Sequence, residues 1–194
     1  NPFEVCGVKV FMGSSTGNLL VDNEESLDLI FRDSPVLIAT HCEDTPMIKA
    51  AEERFKVQYG KNIPIEAHAD IRSREACLKS SMKAVDLAKK FNQNLHILHI
   101  STAEELSLFS TQPIEEKLIT AEVCIPHLYF NSDDYQTKGT LIKCNPSIKS
   151  PSDQLALKDA LKTGLIDFVA TDHAPHILAG KSNPYADCPS GMPS

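Results

Sequence analysis

Apolar runs of five to eight residues recur along the chain. Between them lie longer stretches whose apolar positions fall three or four apart, the alternation that implies parallel strands joined by helical crossovers. The runs predict strands over 5–12, 36–41, 95–100, 118–124 and 166–171. The intervening periodicity predicts helices over 24–32, 46–59, 73–91, 103–109 and 152–162. Asp44 and Thr45 cap the second helix and Gly164 closes the last. In the third, Ala76, Cys77, Ser80, Ala84, Leu87 and Ala88 form an apolar stripe. The longest irregular stretch, 60–74, reads as a surface excursion, with its His68 solvent-facing or structural.

This order of elements is that of an α/β protein, a (β/α)8 barrel present as an incomplete portion. Five strands do not close a barrel of eight, and a complete barrel takes about 250 residues against the 194 present. No repeat, low-complexity tract or linker-like shift divides the chain, so residues 1–194 are expected to be part of one barrel domain within a longer protein.

Composition narrows the function classes. The chain is 42% hydrophobic and 23% charged, enough to build a core. Its net charge of -7, with no Lys/Arg cluster, argues against nucleic-acid or membrane-surface binding. Small molecules or further copies of the chain, as a homo-oligomer, are the partners expected. Six scattered cysteines without a C-x-x-C pair suit a reducing, cytoplasmic compartment. No run approaches the roughly 18 apolar residues of a membrane span.

Three apolar runs end in metal-capable side chains: VLIATHCED at His41, LHILHIST at His99, and FVATDHAPH at Asp172, His173 and His176. Parallel strands that present ligands at their carboxyl ends point them at one mouth. Side chains alternate along a strand. On that parity Gly7, Lys9 and Phe11 share a face, as do Leu37, Ala39 and His41, then Leu95, Ile97 and His99, then Phe168, Ala170 and Asp172. His96, of opposite parity to His99, is expected to face the helix layer in a structural role. Cys42 is expected to point away from His41, which argues against a thiol nucleophile.

Lys9 lies within what reads as a buried strand, where an ammonium is costly unless paired or altered. It is either ion-paired with an acid or carboxylated, since a desolvated lysine loses its proton readily and its amine can add carbon dioxide. With His41, His99 and Asp172 also at strand ends, the bridging carbamate is favoured. The two histidines offer neutral imidazoles, which suit zinc. Asp172 can both coordinate a metal and move a proton. The chain contains no G-x-S-x-G elbow, P-loop or dinucleotide fingerprint.

GVKVFMG, ATHCED, LHILHIST and IDFVATDHAPH, in this order, resemble the amidohydrolase superfamily, and within it the dihydroorotases with a carboxylated lysine. DHAPH after an apolar strand is the most specific part. The resemblance implies that these are barrel strands four to eight, with strands one to three and a carboxyl-terminal continuation absent. It implies two zinc ions bridged by carboxylated Lys9, with His41 and His99 on one zinc and Asp172 on the other. Asp172 is implied to double as the catalytic acid and base. His176 is implied to hold the substrate carboxylate, and Asn145 in KCNPSIK to contact the dihydropyrimidine ring. The implied reaction interconverts N-carbamoyl-L-aspartate and L-dihydroorotate. The family's H-x-H motif and the arginine after it are not in this sequence. The alternatives are a hydantoinase or allantoinase and, in another class, a non-catalytic scaffold relative. An open five-strand arc is not expected to fold alone.

Overall fold

The computed structural model describes residues 4–13 and 19–194. Five strands, β1 (Gly7–Phe11), β2 (Leu37–His41), β3 (Leu95–Ile97), β4 (Ile119–Cys124) and β5 (Phe168–Ala170), pair in parallel and in chain order. Helices α1 (Glu24–Asp33), α2 (Thr45–Tyr59), α3 (His68–Ile71) and α4 (Arg74–Phe91) connect the first three strands. Short 3-10 turns, including Glu104–Leu108, join β3 to β4. Helices α5 (Ile125–Tyr129), α6 (Tyr135–Lys138) and α7 (Pro151–Lys162) lie between β4 and β5, and α8 (Leu178–Lys181) follows β5.

Local chemistry fixes the helix boundaries. Asp44 accepts from the Met47 amide to start α2, and Ser73 accepts from Ala76 to start α4. Ser150 and Asp153 form a reciprocal capping box at α7, with Pro151 in its first turn. Gly164, at φ 75°, lets the chain leave α7 for β5. The expected apolar stripe of α4 is buried in full. The expected helix over 103–109 is instead a short 3-10 turn.

The main core lies between one face of the sheet and the helices. Val10, Ile38, Leu95, Ile97, Ala121 and Val123 pack under Leu27 and Phe31 of α1, Ala84 and Ala88 of α4, and Leu157 of α7. Each large aliphatic side chain buried there contributes roughly 1.5–3 kcal/mol. The register pairs Lys9 with Ala39 and Ala39 with His96, so the opposite face carries Lys9, Phe11, Leu37, Ala39, His41 and His96. Glu122 and Phe168 pair on it too. A cavity of about 590 Å³ opens on this face, lined in part by His96, Thr120, Glu122 and Phe168.

Two further expectations need correction. Leu95 and Ile97 do not share a face with His99: they lie in the core at 1% exposure each, whereas His96 is on the inner face. Regular β3 ends at Ile97 and His99 takes a φ of 40°, so strand parity no longer applies where the histidine turns. The second concerns 60–74, which is not a surface excursion. It folds into a 3-10 turn and α3, and with α2 it builds a second core from Ile48, Phe55, Ile63, Ile71 and Tyr185. His68 is fully buried, not solvent-facing, because Tyr185 and the Cys144 carbonyl take its two ring nitrogens at 2.9 and 2.8 Å. Among the described residues, no helix is long and apolar enough to cross a membrane.

Candidate metal centre

His41 closes β2 and His99 lies two residues beyond β3, both 5% exposed. The main chain around His99 stays tied to its neighbours, through Leu98 N–H to Thr40 O (3.0 Å) and Ile100 N–H to Glu122 O (2.8 Å). That anchoring holds the left-handed His99 backbone where its Nε2 faces Nδ1 of His41 at 2.9 Å. On its other side, His41 Nε2 donates to Glu43 Oε2 at 3.0 Å. With Nε2 carrying the proton, Nδ1 of His41 is a lone-pair acceptor and the His99 N–H points at it. Two imidazole nitrogens converge there on a single proton, which a cation would displace in order to bind both.

The surroundings of His99 favour its neutral ring. Burial, then the proximity of His41 and His127, holds His99 well below the usual histidine range. Glu43 is fully buried, and burial alone would raise its carboxyl; Arg72, His41 and Lys149 outweigh that and hold it well below the usual carboxylate range. Arg72 donates to the same Oε2 at 2.5 Å. A carboxylate behind a ligating histidine fixes its tautomer and orientation. Glu43 was not singled out from the sequence, although it lies two residues beyond His41 in the ATHCED run.

The other predicted residues stand around this pair without closing on it. Lys9 is on the same sheet face, but it is exposed rather than buried, with Nζ 4.7 Å from the Phe11 ring centroid. The inner face is open at β1, so the expected cost of burying this ammonium does not arise. Asp172 follows β5 at φ 47° and is exposed. Its charge adds to the burial that pushes the Cys144 thiol up to about 12. Asn145 is half-buried, and its Oδ1 is buried with no hydrogen-bond partner, an orphaned acceptor facing the interior. His176 is exposed, with Nε2 donating to the Ser190 carbonyl at 3.1 Å. His173 contacts the Ser194 main chain.

His127, also unremarked in the sequence, is buried after β4. It donates from Nε2 to Pro146 O at 3.0 Å and leaves Nδ1 buried and unpaired. His96 hydrogen-bonds Thr120 (2.9 Å) and Glu122 (3.1 Å), and Glu122 also accepts from the His99 amide at 3.4 Å. Cys42 turns away from His41 to Thr40, and burial pushes its thiol up to about 12, which disfavours nucleophilic use. Among the described residues, no three His, Cys, Asp or Glu side chains are grouped closely enough to hold a metal. The His41–His99 donor pair nonetheless fits a borderline-soft cation such as zinc.

Comparison with known proteins agrees with the fold. No family model matches the chain. It is 31% identical to a dihydroorotase of Methanosarcina mazei over 95% of its own length and 41% of the relative's. It is 32% identical to an allantoinase of Bacillus velezensis over 72% of its length and 30% of the relative's. Among solved structures, a dihydropyrimidinase of Brevibacillus agri superposes with a TM-score of 0.87 at 21% identity, over the whole chain and 43% of the neighbour. A Saccharomyces cerevisiae dihydroorotase bound to 5-fluoroorotic acid gives 0.70 at 21% identity, over 98% of this chain and 51% of that one. The five strands and their helices are thus a portion of the amidohydrolase TIM barrel, and the chain spans less than half the length of the curated relatives it matches.

Proposed function

The chain belongs with the dihydroorotases of the amidohydrolase superfamily, and from that premise we propose that the protein it comes from is a zinc-dependent dihydroorotase. The reaction is the reversible interconversion of N-carbamoyl-L-aspartate and L-dihydroorotate. The observation that carries the reading is the convergence of His41 Nδ1 and His99 Nε2 at 2.9 Å, backed by Glu43.

In this reading His41, His99, Asp172 and a carboxylated Lys9 would together hold the zinc ions. Zinc bound there acidifies water and polarises an amide carbonyl. The chain's own groups do the rest. Asp172, with an exposed carboxylate at the end of β5, takes the proton of the attacking water and delivers it to the departing ring nitrogen. Asn145 offers its unpaired Oδ1 to a ring N–H. His176 presents its ring to the substrate carboxylate from the loop after β5. A cytoplasmic setting belongs to the same reading, supported by six cysteines that are all free thiols.

The test is ring opening of dihydroorotate by the zinc-loaded full-length protein. Turnover lost in Asp172→Ala supports the assignment. No turnover despite bound zinc sinks it. The match to an allantoinase makes allantoin the second substrate for the same assay. Failure to bind zinc at all favours a scaffold relative.

A further inference from the structure

We propose that Lys181 is a positioning residue for the substrate side of the site, gripping the loop whose Ser190 carbonyl orients His176. The inference rests on the reading of His176 as a substrate contact. Lys181 is 3% exposed, and its Nζ donates to three main-chain carbonyls: Lys143 (3.0 Å), Pro189 (3.0 Å) and Gly191 (2.8 Å). No carboxylate is among these partners. Burial lowers its pKa, so the ammonium is held at a cost that an apolar side chain would not incur. What lysine supplies instead is three directed donors, all of them used.

Two of those carbonyls flank Ser190. With the carbonyls of Pro189 and Gly191 taken up by Lys181, the Ser190 carbonyl is left to meet His176 Nε2 at 3.1 Å. That bond keeps a proton on Nε2 and fixes the ring plane, leaving Nδ1 on the far side of the ring, where only its N–H form can donate to a carboxylate. The packing leaves no slack: a Cβ on Gly191 would lie 3.0 Å from His176 Nε2 and 2.7 Å from the Ala174 carbonyl, and its φ of 126° excludes most side chains.

The grip also reaches the other candidate substrate contact. The Lys143 carbonyl accepts from both Lys181 Nζ and the Gly191 amide (2.9 Å), and Lys143 is two residues before Asn145. The Lys143 ammonium in turn donates to the carbonyls of Tyr185 and Cys188, both at 2.7 Å. Asn145 and His176, on separate segments, are thereby locked to one framework.

In the zinc-loaded full-length protein, Lys181→Met is expected to raise KM for dihydroorotate roughly tenfold or more, with kcat and bound zinc unchanged. Lys181→Arg restores part of the loss, and Lys162→Met, at an exposed lysine of α7, changes nothing. Lys181→Gln, which keeps two donors, gives an intermediate KM and serves if the methionine variant does not fold. The second readout is the ¹⁵N signature of the His176 ring, expected to move from a fixed Nε2–H tautomer to a mixture in Lys181→Met. An unchanged KM, or a tautomer that stays fixed, overturns the proposal. A wild-type protein inert toward dihydroorotate counts against the proposed function instead, and the His176 tautomer then decides the inference alone.

Discussion

Glu43 holds a negative charge with no solvent around it, so its stability depends on Arg72, His41 and Lys149. Glu43→Ala strands the Arg72 guanidinium and is expected to cost about 3 kcal/mol or more in urea unfolding. It also frees the His41 ring, so zinc affinity measured by titration calorimetry on the full-length protein should fall roughly 10–100-fold. The buried histidines set the acid limit. Burial, reinforced by Arg72 for His68 and by Lys149 for His127, lowers their pKa values to about 3 and about 4. As pH falls below about 6.5 the unfolded chain takes protons that the folded one refuses, so stability declines. Each histidine contributes roughly 1.4 kcal/mol per pH unit, levelling off only at its folded value. Urea midpoints between pH 7 and 5 should show this, with a shallower slope in His68→Gln. These long-range roles were not legible in the sequence: Tyr185, which partners His68, is 117 positions away.

Among elements, what was legible followed from period and composition. All five strands and four of the five helices were predicted within about three residues at each end, because β-branched runs and capped amphipathic stretches carry their own signal. Helices α3, α5, α6 and α8 were missed because four or five residues are too few to display a helical period. The face of His99 was misread for a different reason, since parity holds only while the strand remains regular. One element boundary deserves a direct test. Asp153, 1% exposed, caps α7, accepts from the Ala103 amide at 2.9 Å and pairs with Arg74 of α4. Asp153→Ala removes a cap and leaves donors from two other segments unmatched. It is expected to lower stability by about 2–4 kcal/mol, against about 1 kcal/mol for Ser150→Ala, both read by thermal unfolding of the full-length protein.

For the molecule as a whole, the sheet has a covered face and an open one. Phe168, on the open face of the edge strand β5, is 45% exposed. Parallel sheets ordinarily carry cover on both faces. The isolated 194-residue chain is therefore expected to show no cooperative heat-absorption peak in scanning calorimetry and to bind a hydrophobic dye, whereas the full-length protein gives a sharp transition. A sharp transition in the isolated chain would show that one covered face suffices. The distribution of sulfur has a practical consequence at this scale. Five of the six thiols are buried, and only Cys6, beside β1, is exposed. Within these residues a maleimide fluorophore should attach at that single point in the native state, giving a reporter beside Lys9 whose emission follows zinc loading without any engineered cysteine.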